Sequence, residues 1–155
     1  MAKIKSILFV CTGNSCRSIM AEGLLRKKLE EMGRKEIEVF SAGTRAIGGF
    51  VPTDNTIAVM KKEGVDVSGY KTSRLAPDKI QKADLILAME QIHVEDILNM
   101  APDAEVKTYL LRKYIRVKSE PGGIEVIDPI GRPLEIYERV STMIKSSIEE
   151  LAKTL

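Results

Sequence analysis

The chain has 155 residues, 44% of them hydrophobic and 30% charged, which fits one globular domain over residues 1–155 with a single core. Its 24 Lys and Arg against 22 Asp and Glu leave a formal charge of +2, too small a bias to argue for a nucleic-acid or membrane partner. No apolar run approaches the ~18 residues of a membrane span, Met1 to Lys5 lacks the apolar core of a signal peptide, and Cys11 and Cys16 are too few for a disulfide framework.

A cytoplasmic protein with reduced thiols is therefore expected. In chain order, Ser6 to Val10 is an apolar run long enough for a buried strand. A small polar stretch, Cys11 to Ser18, separates it from a helix whose apolar face carries Met20, Leu24, Leu25, Leu29 and Met32 and which stops at Gly33. Ile37 to Phe40 alternates as a second strand and ends at Ser41-Ala42-Gly43-Thr44. After a loop with Gly48, Gly49 and Pro52, Thr53 or Asp54 caps a helix carrying Ile57, Val59 and Met60, with Gly64 at its end. Asp84 to Met89 reads as a central strand, 91–99 and 108–114 as short helices, and Val106 to Tyr109 as a competing strand. From Pro133 to about Leu151, Ile136, Val140, Met143, Ile144, Ile148 and Leu151 mark a long amphipathic helix. Gly122-Gly123 reads as a loop inside the domain. Strands alternating with helices predict an α/β fold, a parallel sheet covered on both faces with right-handed connections.

The chemistry sits in Cys11-Thr12-Gly13-Asn14-Ser15-Cys16-Arg17-Ser18, between a buried strand and a helix, where open α/β sheets place ligands. Backbone N–H groups at such a turn lack intrahelical partners and, with the helix dipole, make an anion site. Gly13 and Asn14 tolerate the left-handed angles of a tight cradle. The same field favours the thiolate form of a cysteine, and the thiolate is the nucleophile. Cys11 is placed to attack phosphorus, Arg17 offers a planar fork to two phosphate oxygens, and Ser18 can donate a hydrogen bond to the sulfur. Taken alone, Cys11 would read as a packing residue; the Cys-x5-Arg spacing in this setting favours catalysis. Asp128 precedes Pro129 in an apolar context, as a general acid or as a routine turn residue.

The string Cys11 to Ser18, followed by Met20-Ala21-Glu22, resembles the phosphate loop of the low-molecular-weight protein tyrosine phosphatases. The resemblance extends through Ser41 to Thr44, Ala83 to Met89 and Asp128-Pro129, nearly the whole chain. It implies a four-stranded parallel sheet with flanking helices and a two-step mechanism with no metal or cofactor. It implies also that Cys11 forms a phosphocysteine, that Arg17 binds the phosphate with Thr12, Gly13, Asn14, Ser15, Cys16 and Ser18, and that Asp128 is the general acid. Asn14 then holds the loop in its strained shape, with Ser41 as its partner. Related loops carry the Cys11–Cys16 pair. The thiol of Cys16 is thus expected to trap oxidised Cys11 as a reversible disulfide, the alternative being a small buried filler.

Several positions depart from the family pattern. Ile19 stands where proline is common after Arg-Ser. Tyrosine-specific relatives carry aromatic rings after the Asp-Pro and in the loop after Ser-Ala-Gly-Thr; here Ile130 and Ile47 take those places, with Phe50 as a substitute if its loop folds inward. Ser15 replaces the apolar residue of tyrosine-specific members and is nearer the threonine of protein-arginine phosphatases, which the segment from Leu85 to His93 also resembles. Phosphotyrosine proteins are the expected substrates, phosphoarginine proteins the alternative, with phosphate or another oxyanion in the loop. A thioredoxin-coupled arsenate reductase would need cysteines after Cys16, and there are none. A non-catalytic oxyanion module would not need Cys11, Arg17 and Asp128 together. A monomer is favoured. His93, the only histidine, is expected on a helix surface rather than on a metal. Met60, Met89 and Met100 are expected in packing roles, and the basic run Arg112, Lys113, Arg116, Lys118 in solvent. Tyr109, Tyr114 and Tyr137 carry no signal beyond their presence.

Overall fold

A computed structural model describes residues 3–115 and 123–155. Strand β1 (Ser6–Cys11) is buried along its whole length, as a central strand must be. Helix α1 (Arg17–Glu31) follows, then β2 (Glu38–Gly43), α2 (Asp54–Lys62), α3 (Pro77–Lys82) and β3 (Leu85–Ala88). The remaining elements are α4 (Gln91–Met100), a 3-10 turn (Pro102–Lys107), β4 (Thr108–Leu110), α5 (Leu111–Tyr114) and α6 (Leu134–Ala152). The four strands run parallel in the order β2-β1-β3-β4. The chain therefore reverses its direction of travel across the sheet at β1, and the loop leaving the carboxyl end of β1 lies at the switch point.

The two faces of β1 divide the core. Ile7, Phe9 and Cys11 join the buried apolar residues of α1, α2 and α6, among them Met20, Leu25, Met60, Val140, Ile144 and Leu151. Leu8 and Val10 face a second cluster built on α3, α4 and β4, with Ile80, Val94, Ile97 and Leu110. Period-2 alternation along one strand thus feeds two helical layers. No helix among the described residues is long and apolar enough to cross a membrane.

Several boundaries differ from the sequence reading. β2 continues through Ser41 to Gly43 because its far half still pairs with β1, Phe9 opposite Ser41 and Cys11 opposite Gly43. Thr53 is the cap of α2, its side chain accepting from the Thr56 amide. Helix α1 ends at Glu31, which turns Met32 out to 42% exposure. Pro102 opens a 3-10 turn that takes Val106 and Lys107, so β4 starts only at Thr108 and α5 only at Leu111. Helix α3 has no sequence signal beyond Pro77 at its start, since Ile80 is its one buried residue. Met60 and Met89 are core residues, whereas Met100 is exposed.

Arg112 is fully buried rather than solvated, and its Nε donates to the Gly123 carbonyl at 2.8 Å. Arg116, Lys118 and Gly122 lie outside the described residues. Tyr137 is also buried, on α6.

Candidate active site

Between Cys11 and Arg17 the backbone doubles back in a tight loop. Asn14 takes the left-handed conformation, φ 54°, the only non-glycine to do so among the described residues. Three hydrogen bonds of its buried side chain hold it there: Oδ1 accepts from the Ser73 amide at 2.7 Å, and Nδ2 donates to Ser18 Oγ at 2.7 Å and to Ser41 Oγ at 2.9 Å. The end of β2 presses on the loop from the side. A Cβ on Gly43 would lie 2.4 Å from the Thr12 carbonyl oxygen and 2.8 Å from the Asn14 nitrogen, so only glycine fits.

Four of the loop's carbonyls are taken up. Those of Cys11, Thr12, Ser15 and Cys16 accept from the amides of Thr44, Arg45, Thr53 and Met20. By contrast, no described residue accepts a hydrogen bond from the amides of Gly13, Asn14, Ser15 or Cys16. Donors without acceptors, gathered before a helix N-terminus, make a site for an anion.

Cys11 is 2% exposed and its Sγ lies 2.9 Å from Ser18 Oγ. Ser41 Oγ donates to the Glu22 carboxylate at 2.5 Å, and Asn14 donates to both serine hydroxyls. Ser18 Oγ thus accepts from Asn14, and toward a thiolate, which has no proton to give, it is the donor. The relay runs from the sulfur through Ser18, Asn14 and Ser41 to Glu22, which Arg26 pairs at 2.7 Å. Burial pushes the Glu22 carboxyl above the usual range, opposed by the Ser41 hydrogen bond and the Arg26 charge.

Arg17 is 1% exposed and its guanidinium is fixed from several sides. One terminal nitrogen donates to Glu90 Oε2 at 2.5 Å and to the Val126 carbonyl at 2.8 Å. The other lies 3.4 Å from Thr12 Oγ1 and 3.7 Å from Asp128 Oδ2. Asp128 itself is 41% exposed, its Oδ1 accepting from the Ile130 amide at 3.0 Å. Its segment is tied to the end of β3, where the Val126 amide meets the Met89 carbonyl at 2.9 Å. The structure thus brings Cys11, Arg17, Ser18, Asn14, Ser41 and Asp128 together from three stretches of chain.

The remaining residues flank the loop. Thr12, Gly13 and Ser15 are half-buried in it. Cys16 is buried, its Sγ 3.6 Å from Thr53 Oγ1 and 3.8 Å from the Tyr137 hydroxyl, and both cysteines are free thiols. Thr72 clamps the 47–50 loop, donating to the Ile47 carbonyl at 2.6 Å and accepting from the Phe50 amide at 2.9 Å. So held, Ile47 and Phe50 stand 72% and 61% exposed, and Ile130 53%. Phe50 does not fold inward.

The sequence reading missed Glu90 and misplaced His93. Far from a surface position, His93 is 1% exposed and packed against the loop, with Nε2 2.8 Å from Thr12 Oγ1 and Nδ1 accepting from the Glu90 amide at 3.1 Å. Burial and the Arg17 charge push its pKa down to about 4, so the ring is neutral near pH 7. The signal was present: Glu90 and His93 stand at the N-cap and third positions of α4 and cap each other reciprocally. Among the described residues no group of three or more His, Cys, Asp or Glu is placed to hold a metal ion.

A cradle of free amides at the switch point of a parallel sheet, with a cysteine at its base and an arginine at its side, defines a cysteine-dependent phosphatase. The profile of the family described as low molecular weight phosphotyrosine protein phosphatase matches residues 6–155, and the chain belongs to that family. It is 36% identical over 154 residues to the low molecular weight protein-tyrosine-phosphatase Etp of Escherichia coli (strain K12), covering 99% of this chain and 96% of that one. It is 35% identical over 149 residues to a protein-arginine-phosphatase of Geobacillus stearothermophilus, covering 96% and 95%. Among solved structures, the low molecular weight protein tyrosine phosphatase from T. tengcongensis superposes with a TM-score of 0.88 at 34% identity, covering 97% of this chain and 99% of that one. The tyrosine phosphatase Wzb from Escherichia coli K30, solved in complex with sulphate, superposes with a TM-score of 0.86 at 30% identity, covering 98% and 99%.

Proposed function

We propose that the chain is a cytoplasmic, monomeric, single-domain phosphatase, residues 1–155, that removes phosphate from phosphotyrosine in proteins through a phosphocysteine at Cys11. One observation carries the reading: the Cys11 sulfur receives the Ser18 hydroxyl at 2.9 Å beneath a loop whose amides have no acceptor among the described residues. That loop holds three phosphoryl oxygens with the Arg17 guanidinium, while the thiolate attacks phosphorus from below. As the S–P bond forms, the P–O bond to the phenol breaks, and the Asp128 carboxyl gives its proton to the departing oxygen. In the second step Asp128, now a carboxylate, takes a proton from water. The water oxygen bonds to phosphorus, the S–P bond breaks, and Ser18 steadies the leaving thiolate. Thr12, Gly13, Asn14, Ser15 and Cys16 shape the loop, and Ser41 supports Asn14. Ile47 and Ile130 form an aliphatic wall for the substrate ring, to which the outward-standing Phe50 adds no stacking face. Peroxide converts Cys11 to a sulfenic acid; the Cys16 thiol attacks that sulfur, the S–O bond breaks, the hydroxyl leaves as water with the thiol proton, and a disulfide forms.

A second substrate, phosphoarginine, is favoured by one observation. Ser15 in the loop is half-buried and carries a hydroxyl to which a guanidinium can donate. Hydrolysis of para-nitrophenyl phosphate with inhibition by vanadate tests the phosphatase reading. Phosphotyrosine and phosphoarginine peptides then compete for the substrate. The expected outcome is turnover of the phosphotyrosine peptide; exclusive turnover of phosphoarginine reverses the assignment. Cys11→Ser is expected to abolish turnover and retain phosphate binding, and residual turnover near wild type would remove the nucleophile.

A further inference from the structure

His93 takes no part in the two steps above, yet its ring is buried against the loop that performs them. Its Nδ1 accepts the Glu90 amide proton at 3.1 Å. A ring nitrogen that accepts carries no hydrogen, so the neutral imidazole bears its single proton on Nε2. That nitrogen lies 2.8 Å from Thr12 Oγ1, and the hydroxyl oxygen is the acceptor. Arg17 reaches the same oxygen at 3.4 Å. Two donors thus occupy the acceptor side of the Thr12 hydroxyl, and its own proton is left over on a half-buried side chain beside the Arg17 guanidinium.

We infer that His93 is a positioning residue: its fixed tautomer turns the Thr12 hydroxyl into a dedicated hydrogen-bond donor to the oxyanion held on Arg17. The inference rests on the reading of the loop as the phosphate site. It gives the capping box of α4 a second purpose. Glu90 grips the Arg17 guanidinium and His93 orients Thr12, so one turn of one helix sets two of the groups that meet the phosphate. A histidine that only filled space would have no need of a nitrogen on the loop. A protonated one would surrender the Glu90 amide and add a second cation beside Arg17.

The test is the inhibition constant of inorganic phosphate against para-nitrophenyl phosphate hydrolysis, measured for wild type, Thr12→Val, His93→Leu, His93→Gln and the Thr12→Val/His93→Leu double variant. Thr12→Val and His93→Leu are each expected to weaken phosphate by ~10-fold, the scale of one hydrogen bond to a charged group. His93→Gln, whose amide keeps a donor near the position of Nε2, recovers most of that loss. The double variant binds no more weakly than Thr12→Val alone, because His93 acts through Thr12. Multiplying losses in the double variant, or a glutamine no better than leucine, overturn the inference. Should His93→Leu fail to fold, Thr12→Val decides: phosphate binding within about two-fold of wild type overturns it, given that a hydrogen bond to a charged group is worth more than that. A wild-type chain that neither hydrolyses the ester nor is inhibited by phosphate overturns the phosphatase reading itself, an outcome distinct from losses confined to the variants.

Discussion

Asn14 shows how much a single side chain can settle. Its left-handed backbone carries a steric cost, and three buried hydrogen bonds to Ser73, Ser18 and Ser41 hold it in place. Through them the bend of the loop and the position of the Ser18 hydroxyl are fixed together. Asp128 is the opposite kind of residue, 41% exposed and 3.7 Å from Arg17, and in the proposed mechanism it meets the leaving group and then water. Asp128→Asn is expected to lower turnover by ~10²–10⁴ while phosphate inhibition stays nearly unchanged; wild-type rates on a poor leaving group would assign the acid elsewhere. His93 ties the site to stability. Its folded pKa, about 4, lies below the ordinary 6.5, so between these values the unfolded chain binds more protons than the folded one. The stability it contributes is complete above pH 6.5 and is lost as pH falls toward 4. Urea unfolding at pH 7 and pH 4.5 is expected to show a pH-dependent loss smaller by about 2–3 kcal/mol in His93→Gln than in wild type. Equal losses would mean that His93 does not titrate across this window.

Elements decide what comes near the loop. The carboxyl end of β2 approaches so closely that Gly43→Ala places a methyl within 2.4 Å of a backbone oxygen. Neither strand can retreat without breaking the pairing of Cys11 with Gly43. The variant is expected to lose about 1–3 kcal/mol in urea unfolding and to turn over more slowly as the loop shifts. Full stability with full activity would mean that the two strands are not held so tightly. The loop and its flanking strand and helix were legible in the sequence, because Cys11 to Ser18 is contiguous and its residue types match an anion cradle. Glu90 was not read, and His93 was misplaced. A lone histidine without metal-ligand company looked like a surface residue. Arg112 misled for a related reason: in a basic run charge suggests solvent, and only the fold shows that its stem is buried and its Nε bound to Gly123. The strand boundary at Thr108 was lost because Val106, 82% exposed, sits in a 3-10 turn while looking like a β residue.

At the scale of the molecule, the sheet gathers what the sequence scatters. The strand order reverses at β1, and around its carboxyl end come the first loop, the end of β2, the start of α4 and the segment carrying Asp128. The α/β class followed from the alternation of strands and helices; the convergence on one sulfur did not, since it depends on contacts between residues as far apart as Arg17 and Val126. The most direct test is to mix enzyme with excess para-nitrophenyl phosphate, quench in acid within one turnover and map the phosphorylated peptide by mass spectrometry. A single phosphoryl group on Cys11, absent in Cys11→Ser, is the expected result. Hydrolysis at full rate with no phosphoenzyme, or with the phosphate on another side chain, would contradict the account.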